Sequence, residues 1–185
     1  MAPGNTGFRN LLIGAAIALP LIFAKPGHAE VLDVTANGFS SVTTVHIAAP
    51  PDTVYGAITE PGKWWSSAHS FSGDARNMTF DPRAGGCWCE SLPGGGSVQI
   101  LVVVLAAPGK VLRLRGAMGP IQATGADGAF TWTLKPAADG TDVTFNIELG
   151  GCVKGGFATL ARLGHSVSGD QLARLKAFVE TGKGN

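Results

Sequence analysis

The sequence is short of charge, of cysteine and of long apolar runs, and each shortage excludes a class of protein. Its longest apolar run, Leu11–Ala24, has fourteen residues and is interrupted by Pro20; a bilayer-spanning helix needs roughly 20. Charged residues make up only 15% of the chain and form no block or basic patch. A nucleic acid or an anionic membrane surface therefore has no footprint to hold, and neither is expected as a partner. Three cysteines allow at most one internal disulfide. There is no C-x-x-C for a thioredoxin-type redox centre, and no second cysteine pair for a four-ligand structural zinc. Cys87 and Cys89, with His69, come nearest to a ligand set, but no metal and no cofactor are expected. Two residues apart in an extended strand, Cys87 and Cys89 hold their Cα atoms near the upper limit of disulfide geometry, so a bridge between them would be strained. The stretch "GHSVSG", Gly164–Gly169, is not the G-x-S-x-G of a hydrolase elbow. It lies within a helical pattern, and no histidine follows His165, so a serine hydrolase is excluded.

What is present begins with a leader. A polar start carrying Arg9, the apolar run, and "KPGHA" ending on the small residues Gly27 and Ala29 have the order of a secretory signal peptide. Cleavage is expected after Ala29, which divides the chain into a signal peptide, 1–29, and one domain, 30–185. With Arg9 and Lys25 removed, 12 basic residues face 13 acidic ones. The expected location is periplasmic or secreted, with no transmembrane anchor left after cleavage.

The exported part reads as α+β. "FSSVTTVHIAA" alternates as a first strand, and "PPDTVYGAIT" as a short helix capped by Asp52 or Thr53. "KWWSSAHSFSGD" is a second short helix or a loop. Six strands follow, from "NMTFDP" to "TDVTFNIELGG", separated by turns rich in Gly, Pro and Asp. In the last two, Phe130, Trp132, Leu134, Val143, Phe145, Ile147 and Leu149 share one apolar face, as in an antiparallel sheet covered on one side. The final segment carries Phe157, Leu160, Ala161, Gly164, Ser168, Leu175, Phe178 and Val179 on one helical face and stops at Gly182. A curved sheet of seven strands wrapped around this helix is the expected architecture.

That order resembles the helix-grip superfamily, also called START-like or SRPBCC, which includes polyketide cyclases, lipid-transfer domains and the major birch-pollen allergen. "PRAGGCWCE", Pro82–Glu90, is similar to the P-R-x-G-G-R-W-Y-E segment of the branch containing homologues of chaperone-ATPase activators. "KWW" at Lys63–Trp65 and "APGKVLRL" at Ala107–Leu114 also fit. Cysteines 87 and 89 depart from that pattern, and an exported chain has no cytosolic ATPase to activate. The resemblance implies a helix-grip fold and a hydrophobic or lipid-like ligand held between sheet and helix. Its wall is expected from Trp64, Trp65, Trp88, Phe130, Trp132, Phe145, Ile147, Leu160 and Gly164. In a strand Trp88 and Glu90 share a face, so if Trp88 points inward Glu90 does too, and burial raises its pKa unless a donor meets it. Glu90 and His69 are thus the candidate polar groups for a ligand. In the alternative, a cyclase- or lyase-like enzyme acting on a small apolar substrate, they are the candidate acid and base. The oligomeric state is not legible in the sequence.

Overall fold

The computed structural model describes Met1 and residues 28–185; the expected signal peptide, apart from Met1, His28 and Ala29, lies outside the described residues. One sheet has the order β1-β2-β8-β7-β6-β5-β4-β3, with every neighbouring pair antiparallel. The strands are β1 (His28–Val34), β2 (Gly38–Ile47), β3 (Met78–Phe80), β4 (Cys87–Ser91), β5 (Ser97–Ala107), β6 (Val111–Gly116), β7 (Gly125–Ala137) and β8 (Gly140–Cys152). The long helix α3 (Ala158–Thr181) packs on it, and the short helices α1 (Pro51–Ile58) and α2 (Pro61–Trp64) follow β2. β2 and β3 sit far apart in the sheet, so α1 and α2 carry the chain from one side to the other.

The sheet has eight strands rather than the expected seven. The additional one, β1, is an edge strand whose register shifts between Val31 and Asp33 and which leaves Leu32 and Val34 exposed. Without a clean apolar alternation it carries no strand signal. α1 also starts differently from expectation. Pro50 occupies the N-cap position, no side chain caps the helix, and Asp52 lies in its first turn. Proline at the first helical position lacks an N–H to satisfy, and an acidic residue there favours the helix dipole.

Alternation sets the core. The inward residues of β7 and β8 are buried, while Thr133, Lys135 and Glu148 are exposed. α3 buries Ala161, Ser168, Gln171, Leu172 and Leu175, and ends at Gly182 with φ of 69°, a conformation that glycine adopts without steric cost. Near its end the helix is latched to β2. Lys176 Nζ donates to the His46 carbonyl at 2.7 Å, and Glu180 accepts the Ala48 N–H at 2.8 Å. Burial pushes the Glu180 carboxyl up, but its hydrogen bonds from Lys176 and Ala48 and the charges of Lys176 and His46 hold it below its ordinary value. The latch therefore contributes at neutral pH and is lost as the pH falls through that lowered value.

"PRAGGCWCE" folds as a turn into β4. Arg83 pairs with Asp81 at 2.7 Å and lowers the Asp81 carboxyl to about 2. Gly85 N–H donates to the Val103 carbonyl, and Val103 N–H to the Gly86 carbonyl. Gly86 has no room for a side chain, because a Cβ there would meet the Asp81 carbonyl oxygen. Cys87 and Cys89 are bridged, with Cα atoms 5.4 Å apart, closer than the extended-strand spacing expected of them. The register shifts between Trp88 and Cys89, and this bulge bends the strand and draws the two Cα atoms inside the usual range. With both sulfurs in the bridge, the two cysteines are not free metal ligands. Cys152 is free and exposed. Because the bridge closes so small a loop, replacing both Cys87 and Cys89 by serine is expected to cost no more than about 1.5 kcal/mol of chain entropy. Urea unfolding of the double variant measures this; a loss of several kcal/mol would show that the bridge holds more than the bulge.

Candidate functional site

Between sheet and α3 lies a cavity of about 600 Å³. Its sheet wall includes Phe130, Trp132, Phe145 and Ile147, and Trp132 and Phe145 stack with ring centroids 4.1 Å apart. Trp64 and Trp65 close it from the α2 side, and Leu160 and Gly164 face it from α3. Gly164 sits against Phe39: a Cβ there would lie 3.4 Å from the ring, so any larger side chain must turn into the open volume. Trp64, the last residue of α2, and Trp65, which follows it, are both pinned by their indole nitrogens. Trp64 Nε1–H donates to the Ala57 carbonyl at 2.8 Å, and Trp65 Nε1–H to the His69 carbonyl at 3.1 Å. The cavity meets solvent where its lining is exposed, at His69, Phe71 and Leu163.

Two expected lining residues are not in contact with the space. Trp88 is 1% exposed and lies behind the wall, edge-on to Trp65 at 4.9 Å and tilted against Trp132 at 6.2 Å. Glu90 does point inward, but its carboxylate is spent. Oε1 accepts the Ser72 N–H at 2.6 Å and Oε2 the Phe71 N–H at 3.0 Å. This buried carboxylate ties the Phe71–Ser72 segment, part of the cavity mouth, to β4. Two charge-assisted hydrogen bonds offset much of the cost of burying it. The segment is further organised by Ser67 Oγ accepting the Ala75 N–H and by the Asp74 side chain accepting the Arg76 N–H.

Some of the lining was not read from the sequence. Phe39, Met78, Ile100 and Leu149 add apolar surface, and Ser168 and Gln171 add polarity from α3. Phe39 was legible at period two on the same face as Val45 and Ile47, beyond the inward Ser41 and Thr43. Gln171 was legible only as a polar residue interrupting an apolar helical face. The lining holds no lysine, arginine, aspartate or glutamate.

Among the described residues no helix is long and apolar enough to cross a membrane, and no cluster of three or more metal-binding side chains is present. The fold recurs in solved structures. A conserved protein of unknown function, EF2215 from Enterococcus faecalis, is similar with a TM-score of 0.60 and 19% identity, covering 85% of this chain and 80% of that one. An uncharacterised protein from Rhizobium leguminosarum has a TM-score of 0.58 and 18% identity, covering 84% and 98%. CalU16 from Micromonospora echinospora has a TM-score of 0.52 and 17% identity, covering 86% of each. No curated protein matches the chain by sequence. The profile of the family described as "Polyketide cyclase / dehydrase and lipid transport" matches residues 39–180, from the first inward aromatic of β2 to the end of α3. The chain belongs to that family.

Proposed function

We propose that the protein binds a small hydrophobic molecule in the cavity between sheet and α3, and that it does so after export. The observation that carries this reading is the cavity itself: about 600 Å³, walled by aromatic and aliphatic side chains and without a charged acid or base. Binding sites of this kind are mostly apolar, with few polar groups to set orientation. Family membership suggests hydrophobic-ligand binding or cyclase-like chemistry, and two features favour binding. Glu90 is occupied by backbone amides, so a proton transfer would fall to His69, at the cavity mouth. Among the described lining residues no aspartate, glutamate, lysine or arginine accompanies it. The leader supports export, and cleavage after Ala29 would leave Glu30–Val34 still paired with β2.

Native mass spectrometry of the protein recovered from outside the cytoplasm tests both parts. The expected polypeptide begins at Glu30 and retains an organic mass that denaturation releases. In Gly164→Leu the new side chain enters the cavity, and the retained mass is expected to fall at least tenfold while the fold persists. A full-length polypeptide in that fraction would overturn signal cleavage. Equal retention by Gly164→Leu would place the ligand somewhere other than this cavity.

A further inference from the structure

Two polar groups of the cavity lining keep a hydrogen that no protein acceptor meets among the described residues: the indole Nε1 of Trp132, buried without a partner, and the side-chain amide of Gln171. Of the two, Gln171 is the one whose orientation another part of the chain already fixes. It is 1% exposed and lines the space from α3. Its Oε1 accepts the Ser66 N–H at 2.9 Å, which fixes the orientation of the amide, since only an oxygen can face that donor. Nε2 then carries two hydrogens. One is directed at Asp170 Oδ2 over a long 3.3 Å, and the planar amide cannot send the second to the same oxygen. No other protein acceptor meets it among the described residues. One turn earlier Ser168, 4% exposed, donates its hydroxyl to the Gly164 carbonyl at 2.7 Å, which leaves the oxygen's lone pairs unused. A buried amide hydrogen without an acceptor keeps the cost of its lost hydration, and an oxygen on the ligand removes that cost.

We infer that Gln171 is the polar anchor of the cavity, and that the ligand is a neutral apolar molecule bearing a ketone, ester or hydroxyl oxygen that accepts from Gln171 Nε2. This rests on the cavity being the binding site and adds what the cavity selects. A carboxylate or ammonium head is disfavoured, because no opposite charge lines the space and an unpaired buried charge is expensive. Asp170, which Gln171 Nε2 approaches, is itself paired with Arg174 at 3.0 Å. A pure hydrocarbon would fit the walls but leave the amide hydrogen unmet. Ser168, as an acceptor beside it, suits a hydroxyl that both gives and takes.

The test uses two neutral probes: 6-propionyl-2-(dimethylamino)naphthalene, and its 6-propyl analogue, which has no carbonyl. Wild-type protein is expected to bind the ketone about tenfold more tightly, about the value of one buried hydrogen bond. Gln171→Met should remove that preference while changing affinity for the propyl probe less than twofold, and the bound ketone's emission should shift to the blue as its hydrogen bond is lost. Binding of the propyl probe also reports that the variant is folded. If wild-type protein binds both probes equally, or Gln171→Met weakens both alike, the anchor is wrong and the cavity reading stands. If wild-type protein binds neither, the cavity reading falls and takes the anchor with it.

Discussion

Replacing Glu90 by leucine is expected to destabilise the protein by about 3–5 kcal/mol, out of proportion to a residue at the end of a five-residue strand. The loss comes from the two N–H groups of Phe71 and Ser72, which the carboxylate accepts at 3.0 and 2.6 Å and which leucine cannot serve. Glu90→Gln separates this tether from an acid–base role. Glutamine keeps one acceptor oxygen but turns an N–H₂ toward the other backbone donor, so about half the effect should remain. Hydrogen exchange reads it locally: the amides of Phe71 and Ser72 should lose protection in Glu90→Gln before the sheet does. The exposed Phe71 and its neighbours would then line a looser mouth, so probe affinity should fall by less than stability does. Unchanged protection at these two amides would sink the tether. Loss of a catalytic turnover with protection intact would instead put the carboxyl in chemistry.

The sequence was informative wherever a pattern is repeated and silent wherever one contact decides. Alternation over β7 and β8 told which residues face α3, because register fixes both faces at once; Phe130, Trp132, Phe145 and Ile147 lie on the cavity wall for that reason. The helix face around Leu160 and Gly164 was legible in the same way from its period. Edge strand β1 was not, since Val31, Leu32 and Val34 follow no period and its register slips midway. Nor was the Cys87–Cys89 bridge, because the bulge that makes it possible is a one-residue event in the pairing of β4 with β5. Trp88 and Glu90 were assigned the correct face and the wrong neighbour. Inward orientation follows from alternation, whereas contact with the cavity depends on what the loop after α2 places in front of them. Gln171 depends on another long-range contact: its orientation is set by Ser66, 105 residues away.

Trp88 is where stability and the site are expected to be most strongly coupled. Its ring is fully buried and meets Trp65, Phe80 and Trp132 at centroid distances of 4.9, 5.8 and 6.2 Å. Trp65 and Trp132 are in turn cavity wall. Trp88→Ala should cost about 3–5 kcal/mol, the usual range for emptying a buried aromatic site. It should also weaken ligand binding, because both wall residues lose the surface that holds their rotamers. Trp88→Phe is the informative partner. The indole Nε1 of Trp88 is buried without a partner, a cost of about 1–3 kcal/mol that phenylalanine removes. Against this stands the smaller ring and the void it leaves, so the net loss should stay below about 1.5 kcal/mol. Urea unfolding followed by far-ultraviolet circular dichroism, which does not depend on the substituted fluorophore, gives both numbers. Probe titrations then divide the outcomes. If Trp88→Ala loses stability but binds as wild type does, the cavity wall is held by the sheet alone. If Trp88→Phe preserves stability and binding while Trp88→Ala loses both, the buried ring shapes the site from behind without touching the ligand.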